Sequence, residues 1–184
     1  MKRSLVLILA AVLGLPALAA AHPETGFLPD AIAETEYRIV LEITPRDIQT
    51  RNRLGIVLYR KNKLKEAERE FAEVLRQAPA DFDAHDGMGL VKLKAGKGDE
   101  AIAWFQRAIA LKGDDTLVHH GLGRSFEQVG RLREAEAAYR KGIEVSERRL
   151  RSGGDRNREM ERKNTLVSAL QNLQARKKSA KGKP

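Results

Sequence analysis

The chain is sparing with groups that make or break bonds. It has four histidines, His22, His85, His119 and His120, and no cysteine, so thiol chemistry and disulfides are excluded. His85 and His119 stand 34 residues apart and His120 adjoins the second. A metal held between helices needs further ligands in a fixed geometry, and none are evident, so these histidines read as packing residues. His22 follows a run of alanines. Cleavage after Ala21 would leave it as a first residue able to chelate copper, and cleavage after Ala19 would leave Ala-Ala-His, a square-planar copper or nickel binder. Exported chains often begin this way by accident. Asp83 with Asp86 and Asp114 with Asp115 sit where helices begin and read as caps and turn residues rather than as an acid/base pair. Gly87 and Gly89 fall inside a helix and form no phosphate loop. The expectation is no catalytic residue, no cofactor and no metal, hence not an enzyme.

What recurs instead is small and apolar. Leu54-Gly55, Ala67, Phe71, Val74 and Pro79 return 34 residues later as Met88-Gly89, Ala101, Phe105, Ala108 and Gly113. After another 34 they return as Leu122-Gly123, Ala135, Tyr139, Gly142 and Glu147. A fixed period of this length marks stacked helix-turn-helix units. Gly55 with Ala67, Gly89 with Ala101 and Gly123 with Ala135 are each 12 apart. Glycine costs about 1 kcal/mol in a helix interior, so its recurrence points to two helix backbones in close approach. The aromatic slot (Phe71, Phe105, Tyr139) would wedge between neighbouring units. Glu66, Glu100 and Glu134 fall in a first turn, where a carboxylate suits the helix dipole. Asn62, Gly96 and Gly130 occupy the turns and tolerate left-handed backbone.

This pattern resembles the tetratricopeptide repeat family over residues 48–147. It also runs backward, since Ala33, Tyr37, Val40 and Pro45 precede Ala67, Phe71, Val74 and Pro79 by 34. The resemblance implies an all-α, right-handed helical solenoid: a half-repeat (30–47), three repeats (48–81, 82–115, 116–149) and a C-terminal capping helix (150–177). Departures are Arg51, His85 and His119 in the usual tryptophan slot and Lys92 where tyrosine or leucine is expected. Helices are expected at 31–43 with Asp30 as cap, 48–61, 64–77, 83–95, 99–111, 117–129 and 132–150. After that the phase is lost. A last helix at 156–176 carries the stripe Met160, Leu166, Val167, Leu170 and Leu173. Residues 178–184 read as a basic disordered tail.

The N-terminus reads as a secretory signal over residues 1–21. Lys2 and Arg3 precede the apolar run Leu5 to Leu15, Pro16 breaks it, and alanines offer a cleavage site. A linker with Pro23, Gly26 and Pro29 fills 22–29. An exported, cysteine-free helical protein fits a bacterial periplasm, or secretion. Residues 148–184 hold 12 Lys/Arg against Asp155, Glu159 and Glu161, which is the whole net charge of +9. That segment could touch anionic lipid, lipopolysaccharide or an acidic partner. Nucleic acid is not expected behind an export signal.

In the family, the second, fifth, ninth, twelfth and thirteenth slots of each first helix face a concave groove. Carried over, they are Gln49, Asn52, Ile56, Tyr59 and Arg60; Asp83, Asp86, Leu90, Leu93 and Lys94; and Leu117, His120, Arg124, Glu127 and Gln128. The family's carboxylate-gripping mode is not expected, because Ile56, Gly87, Leu117 and Gly121 stand in several of its slots. An apolar floor with charges around it suits an extended or helical segment of another protein. The expected function is an envelope adaptor that binds a partner protein or peptide in this groove. The alternative is a protein that associates with the envelope surface through its basic C-terminus.

Overall fold

The computed structural model describes residues 29–181, and every regular element in them is a helix. They are α1 (Asp30–Ile43), α2 (Ile48–Arg60), α3 (Leu64–Gln77), α4 (Phe82–Lys94), α5 (Gly98–Leu111), α6 (Thr116–Gln128), α7 (Leu132–Arg151) and α8 (Arg156–Lys181). The expected signal peptide, His22, the linker up to Leu28 and residues 182–184 lie outside the described residues. No helix among the described residues is long and apolar enough to cross a membrane.

Local chemistry sets the helix ends. Asp47, Asp81 and Asp115 each cap the following helix through a side-chain oxygen, accepting from Thr50 N, Ala84 N and Leu117 N at 3.1, 2.8 and 2.8 Å. These three aspartates recur at the same 34-residue interval, and each satisfies a backbone donor that the helix leaves over. The turns between paired helices hold Asn62, Gly96 and Gly130 at φ 61°, 79° and 76°, the left-handed backbone expected of them. Asp30, expected as a cap, is instead the first helical residue of α1. Its carboxylate is turned onto Arg60, with Nη2 to Oδ1 at 2.5 Å.

Consecutive helices pack as antiparallel neighbours along the chain. Beyond that, α2 touches α4, α4 touches α6 and α6 touches α8, whereas α1, α3, α5 and α7 share no comparable contact, α1 reaching α3 through the Arg38–Glu66 ion pair. First helices that meet while second helices splay apart bend the stack, with α2, α4, α6 and α8 on the inner side. The core runs through the stack as two apolar clusters, one around Phe71 with Leu54, Leu58, Val74 and Val91, the other around Phe105 and Tyr139 with Val118, Leu166 and Leu173.

The recurrent glycines serve the aromatic rings more than the alanines. A Cβ built on Gly89 or Gly121 would stand 2.6 Å from a Phe105 ring carbon. Phe105 is thus held between the backbones of α4 and α6, and Phe71 likewise between Gly55 of α2 and Gly87 of α4. The sequence reading paired glycine with alanine; the atoms nearest these glycines belong to the ring side chain.

The apparent loss of phase after Glu147 has a simple cause. Asp155 caps α8 by accepting from Arg158 N at 3.0 Å, as Asp115 caps α6, but 40 residues on instead of 34. Helix α7 has 20 residues where α3 and α5 have 14, so the insertion is a helical extension of α7. Helix α8 then lies against α7 and touches α6, the place a fourth first helix would take. It also runs to Lys181, so residues 178–181 are helical where a disordered tail was expected. The end is tied down by Lys177 Nζ on Glu136 at 2.6 Å and by Arg176 Nη1 on Glu127 at 2.7 Å.

Candidate functional site

The inner helices carry all fifteen groove candidates, and the structure divides them into two groups. At the C-terminal turns the side chains are spent on the protein itself. Arg60 is paired with Asp30. Lys94 Nζ donates to the Tyr59 carbonyl at 3.0 Å and lies 4.7 Å above the Tyr59 ring. Gln128 Nε2 donates to the Leu93 carbonyl at 3.2 Å. Glu127 accepts from the Tyr139 hydroxyl and from Arg176. Leu93 itself is only 7% exposed and belongs to the core, so it offers little to a ligand.

The inner-face positions before those turns are different. Gln49, Asp83, Leu117 and Arg124 are exposed, and Ile56, Leu90 and His120 are half-buried. Leu117 is 47% exposed, large for an apolar side chain among polar neighbours. His120 packs its ring against Tyr139 with centroids 5.9 Å apart, and burial, followed by the nearby Arg124, lowers its pKa from the ordinary 6.5. Asn52 is 8% exposed. Its Nδ2 donates to Asp81 Oδ1 at 2.9 Å, while its Oδ1 is buried without a partner.

Asp86 stands in the same slot one repeat on. Its place in the sequence suggests a cap or turn residue; it lies instead in the second turn of α4. Its Oδ1 is buried and accepts no hydrogen bond. Burial first, then the carboxylates of Asp115 and Asp83, push its pKa up to about 7. Asp83 is raised in the same way, by burial and by Asp81.

The histidines reserved for packing do more than pack. His85 Nε2 lies 2.9 Å from the Pro79 carbonyl and His119 Nε2 3.2 Å from the Gly113 carbonyl. In the first repeat Arg51 Nη2 reaches the Pro45 carbonyl at 2.7 Å. All three close onto the carbonyl six residues earlier. The departures from the tryptophan slot therefore share one task, tying each first helix to the turn before it. No group of three or more metal-ligating side chains is gathered among the described residues.

The basic C-terminal segment is less available than its charge suggests. Arg149 and Arg162 pair with Glu159, Lys163 with Glu147, Arg158 with Asp155, and Arg176 and Lys177 with acids of α6 and α7.

Tetratricopeptide-repeat family models match residues 52–116 and 118–149. The chain belongs to the tetratricopeptide-repeat family. No curated protein sequence matches it. Among solved structures, MamA MSR-1 is 25% identical with a TM-score of 0.56, over 65% of this chain and 68% of that one. The type III secretion translocator chaperone SycD of Yersinia enterocolitica is 18% identical with a TM-score of 0.61, over 71% and 86%. A further structure holds SycD in complex with a peptide of the translocator YopD, at 18% identity and a TM-score of 0.60 over 70% and 93%. The SycD likeness is one of fold alone. In this tetratricopeptide-repeat array, the inner-face side chains ahead of the C-terminal turns of α2, α4 and α6 are the ones least taken up by the fold's own hydrogen bonds.

Proposed function

We propose that this array is a non-catalytic scaffold that binds a segment of another protein along the inner face of α2, α4 and α6, within a bacterial envelope. The observation that carries the reading is the contrast within the inner face. The C-terminal turns are closed by the protein's own hydrogen bonds, whereas Leu117 stands exposed, Ile56 and Leu90 are only partly buried against the core, and oxygens of Asn52 and Asp86 have no partner. Apolar anchors beside unmet acceptors suit a segment that brings both side chains and donors. The SycD complex with a YopD peptide is consistent with a fold that can hold such a segment. Placement in the envelope rests on the leader-like N-terminus.

Surface association through the C-terminus has less support, because six of the twelve cations it would use, Arg149, Arg158, Arg162, Lys163, Arg176 and Lys177, are paired within the fold. Photo-crosslinking tests the groove reading. A benzophenone side chain at Gln49 or Leu117, on the inner face, should join one defined segment of a partner from envelope extracts. The same group at Arg69, exposed on α3, should not. Identical adducts from both faces would overturn the reading. Fractionation of cells that express the full chain tests the location; recovery of the protein with cytoplasmic markers would overturn that part.

A further inference from the structure

Nearly every glutamate on the described helices has a cation. Glu34, Glu66, Glu68, Glu70, Glu73, Glu100, Glu134, Glu136, Glu144, Glu147 and Glu159 each lie within ion-pair distance of a lysine or arginine. The chain has 34 such cations against 25 acids, so a carboxylate that finds none is left so by the fold rather than by shortage. Among the described residues, Glu36, Glu42, Glu161, Asp83 and Asp99 also lack a cation but are exposed to solvent. Asp47, Asp81 and Asp115 accept hydrogen bonds, whereas Asp86 has a buried oxygen, Oδ1, and neither a salt bridge nor a hydrogen bond.

The surroundings add to the demand. Asp83, one turn earlier, and Asp115, at the cap of α6, act on Asp86 as like charges, and neither α2, α3 nor α5 contributes a charge that acts on it. Asn52 supplies a second, independent sign. Its amide orientation is fixed, because only Nδ2 can donate to Asp81 Oδ1. The Oδ1 that remains is a buried acceptor with nothing to accept. A buried acceptor left unmet is unfavourable, and two at one register of adjacent repeats call for donors, preferably charged ones.

We propose that Asp86 is the charge anchor of the groove: it receives a lysine or arginine side chain from the bound segment, with Asp83 and Asp115 as the surrounding field. This rests on the groove reading and sharpens it to a partner segment with a basic residue seated between α2 and α6. The chemistry is the reverse of gripping a terminal carboxylate. The bound cation exchanges places with the proton that Asp86 otherwise holds near neutrality.

The full chain with carboxyl-labelled aspartate is titrated with N-acetyl-arginine amide and, separately, with its uncharged citrulline analogue, while the Asp86 carboxyl signal is followed by NMR from pH 5 to 9. The arginine probe should perturb Asp86 saturably and lower its midpoint, and should bind about tenfold more tightly than citrulline, the scale of one charge-assisted contact. Binding should tighten as pH rises through 7, and Asp86→Asn, still folded by thermal melting, should lose the preference. Equal affinity for the two probes, or an Asp86 signal that ignores both, would overturn the proposal. The crosslinks separate this proposal from the groove reading. A crosslinked segment without a basic residue near Leu117 would leave that reading standing and remove this one, whereas the absence of inner-face crosslinks would remove both, and arginine binding at Asp86 would then mark a cation site with no bound segment.

Discussion

Gly55 lies flat against the ring of Phe71, so close that a Cβ on the glycine would stand 2.6 Å from Cε1. Gly87 of the next first helix meets the same ring, nearest at Cζ, and Gly89 and Gly121 hold Phe105 in the same way. An aromatic side chain from each second helix is thus gripped between two consecutive first helices. That grip fixes their spacing and the bend of the stack. Gly121→Ala is the sharpest test, since its Cβ would meet Phe105 Cζ at 2.6 Å, at the seam between repeats. Alanine would gain about 1 kcal/mol of helix propensity in open space, yet overpacking costs about 1–3 kcal/mol. We expect net destabilisation of about 1–2 kcal/mol in urea unfolding. Phe105→Leu combined with Gly121→Ala should cost less than the two changes summed.

Arg51, His85 and His119 close onto carbonyls six residues back. A carbonyl only accepts, so Nε2 of both histidines carries the proton, and nitrogen NMR should show that tautomer. Burial lowers the His119 pKa below 6.5. The unfolded chain therefore takes up a proton first, and the contribution of His119, present above 6.5, fades as pH falls through that value. His119→Ala should cost about 1–2 kcal/mol at pH 8, from a lost hydrogen bond and a small cavity, and less at pH 5.

Much of this arrangement was legible in the sequence, because it rests on interactions that repeat at a fixed interval. The period gave the stacked hairpins, and the aromatic slot gave the wedge between units. The left-handed turns followed from residue type alone at Asn62, Gly96 and Gly130. What escaped depends on contacts the period does not show. Asp47 and Asp81 keep the same interval as Asp115, whose type and place do read as a cap and which does cap α6, but caps lie outside the apolar pattern, so the other two escaped. Arg51 and the two histidines looked like departures because their common partner is a backbone carbonyl, which has no letter in the sequence. The end of the array looked out of phase because α7 grew within a helix, leaving no turn residue to mark the insertion. Asp86 looked like a cap because it lies close to a helix start, and nothing in a one-letter code separates a carboxylate in the first turn from one buried in the second.

At the N-terminal end, Glu34 of α1 accepts from Lys61 at 2.6 Å, Lys63 at 2.8 Å and Arg38 at 3.0 Å. The Lys61 hydrogen bond, then that of Lys63, lowers its pKa from 4.5 to about 2. A depressed carboxylate contributes stability above its unfolded value and loses it as pH falls from 4.5 towards 2. The lysines are partly exposed, so the contribution is about 1–2 kcal/mol rather than the full shift. Hydrogen exchange should show α1 loosening first between pH 4.5 and 2.5, and Glu34→Gln should loosen it already at pH 7.

At the other end, Glu159 is 1% exposed. It accepts from Thr116 Oγ1 at 3.1 Å, Arg149 Nε at 3.0 Å and Arg162 Nη1 at 3.0 Å, and Ser146 Oγ donates to its carbonyl at 2.8 Å. This network pins α8 onto α6 and α7. Glu159→Ala strands two guanidinium groups, and breaking a buried pair costs about 3 kcal/mol. Exchange protection should fall across α8 and the end of α7 while the Phe71 cluster keeps its own. Uniform loss along the whole array would mean that α8 is a cooperative part of every repeat rather than a locally docked end.

Asp86 should make the protein less stable as pH rises, the opposite of Glu34. Its folded-state pKa of about 7 stands above the ordinary 3.8. The folded chain therefore holds a proton that the unfolded chain has released, and each step from pH 4 to 7 favours the unfolded side. The full contribution survives only below 3.8 and is gone above 7. The shift corresponds to about 2–4 kcal/mol, with the lower figure apt for a half-buried group. Asp86→Asn removes the titration, so its urea midpoint should match the parent near pH 4 and exceed it at pH 8. A basic ligand in the groove should reproduce that gain in the parent chain at pH 8 and give none to the variant. Parallel stability curves for the two proteins from pH 4 to 8 would show that Asp86 finds a partner in solution and that the fold keeps no charge waiting there.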